Sequence, residues 1–346
     1  TLNRAEQTLG PQHPYTFEIL NALADAIAAQ DRIREAFQLR RTGFERRSRF
    51  FDRVLWVTNE NAREGYIRLH RDELDAYLTL LPELDDETAG RELLEVSLQR
   101  KGLLLEVASE IRQIASLGLD STLVGVTESL EKAREQLASL TLSGPTDGDP
   151  EAHLARIREL EDRIEQMQAE LGRASARYRE SIADIGVQDL VASMEDGSAL
   201  VDFLVRARPD GSRALLAGVL RVQADGTPEM HLVEYDDMAT VEKAIRDYRE
   251  IIQEEGALDE DVDYFGNQAW ERIWQPVAQY LPEDGPVYVV PDGQLNILPF
   301  DALVDADGNY LLETTDLHVL SSSRDLLPSE VPAATGDYMV MAGPDY

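Results

Sequence analysis

The sequence predicts an α + α/β chain, helical over residues 1–184 and α/β from 185 to 346. Three observations predict it. Apolar residues recur at helical spacing through the first part, most regularly as heptads between 121 and 182. The composition changes near Gly186, where short apolar runs alternate with Pro, Asp and Gly turns. Residues 286–327 then read as a buried strand, a turn, a packed connection and a second strand.

Over 1–50, Gly10-Pro11 breaks the chain and Thr16 is the expected N-cap. Phe17, Leu20, Leu23, Ala24 and Ile27 follow at helical spacing. Asp31 is expected to begin a second helix carrying Ile33, Ala36, Phe37 and Leu39. Residues 51–184 stay helical. Leu74, Leu78 and Leu81 form one stripe. A longer one runs from Leu93, Leu94, Val96 and Leu98 through Leu103–Leu105 to Leu117. Leu123, Leu130 and Leu137 repeat by seven, as do Ile157, Ile164 and Leu171, on either side of the loop at 143–150. That pattern predicts an antiparallel helical hairpin over 121–182 with coiled-coil packing.

From 185 onward, strands are expected at Ala199–Val205, Ala214–Val222 and Met230–Val233, as a meander turning at Pro209-Asp210-Gly211 and Asp225-Gly226. Helices are expected at about 238–255 and 267–281. The run Val287–Val290 stops at Pro291-Asp292-Gly293. Leu295, Pro299 and Phe300 read as core of the connection, and a strand follows at Leu317–Leu320. A last strand is expected at Tyr338–Ala342. Strands alternating with helices argue for a parallel core.

Composition excludes several function classes. The chain has 346 residues, 43% of them hydrophobic, enough for two or three packed units. No apolar run is long enough to span a membrane, and TLNRAEQTLG lacks the core of a signal peptide. Cytoplasm is the expected compartment. Net charge is −33, which repels nucleic acid and anionic membranes. There is no cysteine, so no disulfide and no thiolate. His13, His70, His153, His231 and His318 share no metal-ligand spacing, and no phosphate-cradling glycine loop occurs. No cofactor or metal is expected. Asp259-Glu260-Asp261-Val262-Asp263 lacks the glycine and distal glutamate of a calcium loop and reads as a solvated acidic loop. Ser321–Ser323 lack a nucleophile elbow. Arg40, Arg41, Arg46, Arg47 and Arg49 form the one basic cluster. They are candidate contacts to an acidic partner, a nucleic acid or the chain's own acidic surface, and a solvated face is the simplest reading.

The string P-D-G-x-L-x-x-L-P-F-x-A-L at 291–303 resembles the first half of a CHAT domain, the caspase-like cysteine protease module found beside TPR helices. IGVQDLVASMEDGSALVDFLV at 185–205 resembles the opening of the same domain, and AWERIWQPVAQYLP at 269–282 the helix before its core strand. LGPQHPYTFEILNALADAIAAQDRIREAFQL resembles one tetratricopeptide repeat. One repeat cannot bury its own face, so earlier repeats are expected upstream. The resemblance implies three parts: a TPR-like repeat end (1–50), a helical linker region (51–184), and the first half of a caspase-like α/β domain (185–346).

The family's T-H-G-like and S-A-C-like strings, which carry the histidine and cysteine, do not occur here. The resemblance therefore implies a portion of a cysteine endopeptidase, inactive alone, with its dyad expected after Tyr346. The implied partners are a protein substrate, the catalytic half of the same protein and a regulatory protein at the TPR region. The implied setting is a bacterial immune or cell-death pathway. A TPR-type binding scaffold with a degenerate caspase-like domain is the alternative. A nucleic-acid sensor rests on the arginines alone and fits poorly with −33.

Overall fold

The computed structural model describes residues 1–11, 13–55, 60–101, 121–143, 150–179, 185–235 and 237–328. The helical part runs through α1 (Leu2–Leu9), α2 (Pro14–Ala28), α3 (Ile33–Val54), α4 (Glu60–Leu69), α5 (Arg71–Leu78) and α6 (Asp86–Arg100). The start of α2 corrects the expected cap. His13, not Thr16, is the N-cap, and its Nδ1 accepts the Tyr15 N–H at 3.2 Å. Pro14 occupies the first helical turn, where a missing N–H costs nothing. Thr16 instead donates its hydroxyl to the Gly10 carbonyl at 2.9 Å. Asp31 does not begin α3; it takes φ 61° in the turn before it.

The heptad segments form α7 (Ser121–Ser143) and α8 (Pro150–Arg179), which pack against each other. Leu130, Ala133, Met167 and Leu171 bury against Phe51 and Leu55 at the end of α3. Leu103–Leu105, Leu117, the loop at 144–149 and Tyr338–Ala342 lie outside the described residues.

The described strands are β1 (Ala199–Ala207), β2 (Arg213–Val222), β3 (Pro228–Tyr235), β4 (Pro286–Val290) and β5 (Asp316–Val319), in the order β3-β2-β1-β4-β5. β1, β2 and β3 form the expected antiparallel meander. β4 pairs parallel with β1, Asp202 opposite Val290, and β5 pairs parallel with β4.

Helices cover both faces. On one face, α10 (Met238–Gln253) and α11 (Asp259–Ala269) pack on Val201, Phe203, Leu215, Ala217 and Val219. On the other, α6 and α9 (Val187–Ser193) pack on Leu200, Leu204, Leu216 and Leu220. The helix expected at 267–281 differs. It starts at Asp259, passes through a π turn at Trp270–Trp274 and ends in a short turn at Gln275–Ala278. The acidic stretch expected as a loop is thus the first turn of α11, where carboxylates suit the free N–H groups and positive end of a helix. Leu295 and Phe300 are buried as expected, but Pro299 is exposed, because it opens the short helical turn Phe300–Ala302 from outside.

Candidate functional site

Sites in α/β sheets gather where parallel strands end at their carboxyl termini. Here β4 stops at Val290 while β1 continues to Ala207, so β1 loses a partner partway along. Asp292 replaces it. Its carboxylate accepts the Val205 N–H at 2.7 Å and the Gly293 N–H at 2.9 Å. Gly293 holds φ 55°, which glycine adopts without steric cost. The Pro-Asp-Gly string therefore ends one strand and caps its neighbour with a side chain.

Beside this turn lies a buried charge. Asp202 sits mid-strand in β1, 0% exposed, on the face covered by α6. Ser97 and Lys101, one helical turn apart, both reach it. Ser97 Oγ donates to Asp202 Oδ2 at 2.7 Å. Lys101 Nζ donates to Asp202 Oδ1 at 2.9 Å, to the Phe203 carbonyl at 2.7 Å and to the Val290 carbonyl at 2.9 Å. All three ammonium donors are thereby spent, leaving the amine no role as base or nucleophile. The ammonium ties the ends of β1 and β4 to each other and both to α6. Residues after β5 close the same corner. Arg324 Nε donates to the Leu98 carbonyl at 2.5 Å, satisfying one of the open carbonyls of the α6 terminus.

The network was missed at the level of sequence, although a signal was present. ALVDFLV places a carboxylate inside an apolar strand, and such a group needs a buried counter-charge. The chain has three lysines, and one closes α6.

The five arginines of the sequence cluster lie on α3. Arg40 and Arg47 are buried. Arg40 meets Asn21 at 2.8 Å and Asp25, and Arg47 makes two bonds to Glu73 at 3.0 and 2.7 Å. Arg41 lies 3.2 Å from Glu92 and Arg46 2.5 Å from Glu6; Arg49 is exposed. Burial pushes the Glu73 carboxyl up, but hydrogen bonds from His70 and Arg47 outweigh it, so Glu73 titrates below the usual carboxylate range. Glu95 on α6 is pushed the other way by burial, although it accepts the Val187 N–H at 3.0 Å.

The described histidine side chains each have a local role. His13 caps α2, His70 lies 3.5 Å from Glu73, His231 2.6 Å from Asp86, and His318 3.2 Å from Asp316 on the exposed strand β5. Among the described residues no cluster is suited to hold a metal ion. Ser322 caps the turn Ser323–Leu326: its hydroxyl accepts the Arg324 N–H at 3.3 Å, and its own N–H donates to Asp325 at 3.1 Å. A broad hollow of about 710 Å³ at the amino ends of β4 and β5 is lined by Glu283, Asp284, Asp301, Glu313 and Asp316. Its lining also carries Thr314 and Thr315.

The strand–Pro-Asp-Gly–strand unit and the helix before it are now placed. Residues 263–346 match the family model of the CHAT domain. No curated protein matches the chain. The match begins inside α11 and takes in β4, the Asp292 turn and β5. It supports a CHAT-domain protein, and CHAT is a caspase-like, protease-related family. Within the network, Val290 and Asp292 belong to the CHAT-matched segment, whereas Asp202, Ser97 and Lys101 precede it. No helix among the described residues is long and apolar enough to cross a membrane.

Proposed function

We propose that the chain is the regulatory and first-half portion of a caspase-like cysteine endopeptidase that cleaves a protein substrate, in a bacterial immune or cell-death pathway. The observation that carries this reading is the CHAT match over 263–346, joined to a sheet in which β1, β4 and β5 run parallel. Those strands form one wall of a site. The attacking thiolate and its histidine come from residues encoded after Tyr346, since these 346 residues contain no cysteine. Residues 1–50 are the end of a TPR array that receives a partner protein. α6 carries that region's position to the strand ends through Lys101.

The test is the coding sequence after Tyr346, followed by activity. Expression with that sequence should yield cleavage of a protein substrate, abolished by Cys→Ala in the S-A-C-like string. Absence of both the T-H-G-like and S-A-C-like strings, with binding but no cleavage, would establish the scaffold reading instead.

A further inference from the structure

A hollow of about 310 Å³ lies between α10 and the turn Gly293–Ile297. It sits at the carboxyl end of the sheet. Gln294 and Ile297 follow β4, and Arg213 stands opposite Ala207, the last residue of β1. α10 supplies Ile245, Arg246 and Arg249. The lining holds three arginines against two glutamates, whereas the whole chain holds 33 basic residues against 66 acidic ones.

Two of these arginines are unmatched. Arg213 pairs with Glu242 at 2.7 Å. Lys243, on the same helix but outside the hollow, pairs with Asp247. Among the described residues, the side chains of Arg246 and Arg249 make no hydrogen bond or ion pair, and neither does that of Glu250. Three residues apart, the two guanidiniums share a face of α10, and their like charges oppose each other. Glu250 offsets one of those charges at most. Beside them Ile297 is 45% exposed, an apolar side chain left facing water.

A planar guanidinium fork suits a carboxylate, and two forks on one face suit neighbouring carboxylates. An acidic segment that also carries an apolar side chain answers both the arginines and Ile297. The volume equals that of about ten waters, room for a few side chains rather than a folded domain. A nucleic acid also offers anions, but it meets a chain of net charge −33. We propose that this hollow docks an acidic segment of a partner protein, its carboxylates on Arg246 and Arg249 and an apolar side chain on Ile297. The docking stands independently of the protease reading, since it asks for no nucleophile. It holds the partner beside the carboxyl ends of β1 and β4.

The test exposes the 346-residue chain to arrayed short peptides of aspartate, glutamate and leucine, beside arrays with asparagine and glutamine in place of the acids. Physiological ionic strength screens charges beyond about 8 Å, so the chain's distant carboxylates count for little. The tightest acidic peptide is then titrated in solution. Saturable binding that the amide counterpart lacks is expected. Arg246→Gln with Arg249→Gln should weaken it about tenfold. Arg272→Gln, exposed and outside the hollow, should leave it unchanged. If the double variant does not fold, Ile297→Ser is read in its place and should also weaken binding. Equal binding of acidic and amide peptides overturns the proposal, as does unchanged affinity in the folded variant. A thymidine oligonucleotide bound more tightly than any peptide overturns it in favour of nucleic acid. Self-association that the double variant abolishes, with no peptide bound, overturns it in favour of a second copy of the chain.

Discussion

The two faces of the sheet are built on different principles. The face under α10 and α11 is apolar and aromatic. Phe300 stacks on Phe203 and meets Trp274 edge-on, its ring centroid 6.2 Å from each. The face under α6 carries Asp202, Ser97 and Lys101 among its leucines, and at its rim Arg206 bonds Thr79 at 3.1 Å and Glu234 at 2.7 Å. The first face is covered by helices that follow its strands closely in sequence. The second is covered by α6, from far upstream, with the short α9 beside it. An apolar face accepts any helix of suitable volume, whereas a buried charge accepts only one that brings its partner. Buried ion pairs add little net stability over apolar replacements, yet losing one member is costly. The contrast suggests that one face supplies stability and the other chooses which helix docks, and in what register.

Four single substitutions, one of them with a second-site rescue, break or sharpen that contrast, taken from the largest effect down. Phe300→Ala on the apolar face should cost about 4 kcal/mol in urea unfolding, the usual cost of removing a buried ring. A loss under about 1 kcal/mol would show that the face is loosely packed. Lys101→Met should cost about 3 kcal/mol, because Asp202 is left buried and unpaired. Adding Asp202→Leu should recover most of it; if the double variant is as unstable as the single one, charge pairing is not what Lys101 supplies. Gly90→Ala tests the docking distance of α6. A Cβ there would sit 2.7 Å from the His231 backbone, so α6 must shift away from β3. A cost of about 2 kcal/mol is expected, with hydrogen exchange rising along α6 and β3 while α10 stays protected.

The smallest effect concerns pH. Burial raises the Glu95 carboxyl. A raised acid stabilises the fold fully only below its unfolded value, and loses that contribution as pH rises through the folded value. Glu95→Gln should therefore melt slightly higher than the parent at pH 7, and the gap should close below about pH 4, under the ordinary glutamate value. A gap that is constant across pH would assign the change to packing instead.

Much of this fold was legible in sequence because its signals are local. Heptads set α7 and α8, turn residues set the β1–β2–β3 meander, and the Pro-Asp-Gly string placed β4 and its end. What was not legible is relational. Nothing near Lys101 says that it neutralises Asp202, and nothing near Asp292 says that it caps Val205. The cap of α2 was misplaced because a threonine is an ordinary cap, whereas a histidine nitrogen serves only once Pro14 fixes the first turn. The acidic start of α11 was misread because charge density suggests solvent before it suggests a helix terminus.

The reach of α6 also bears on how the chain is made. Ser97 finds Asp202 at a separation of 105 residues, and Lys101 finds Val290 at 189. At roughly 5–20 residues per second of synthesis, the helix waits on the order of 10 to 40 s after leaving the ribosome before its last strand partner exists. During that interval Leu93, Leu94, Val96 and Leu98, all buried in the finished fold, have no sheet to cover. Those four side chains are therefore the apolar surface left uncovered longest while the sheet is being made.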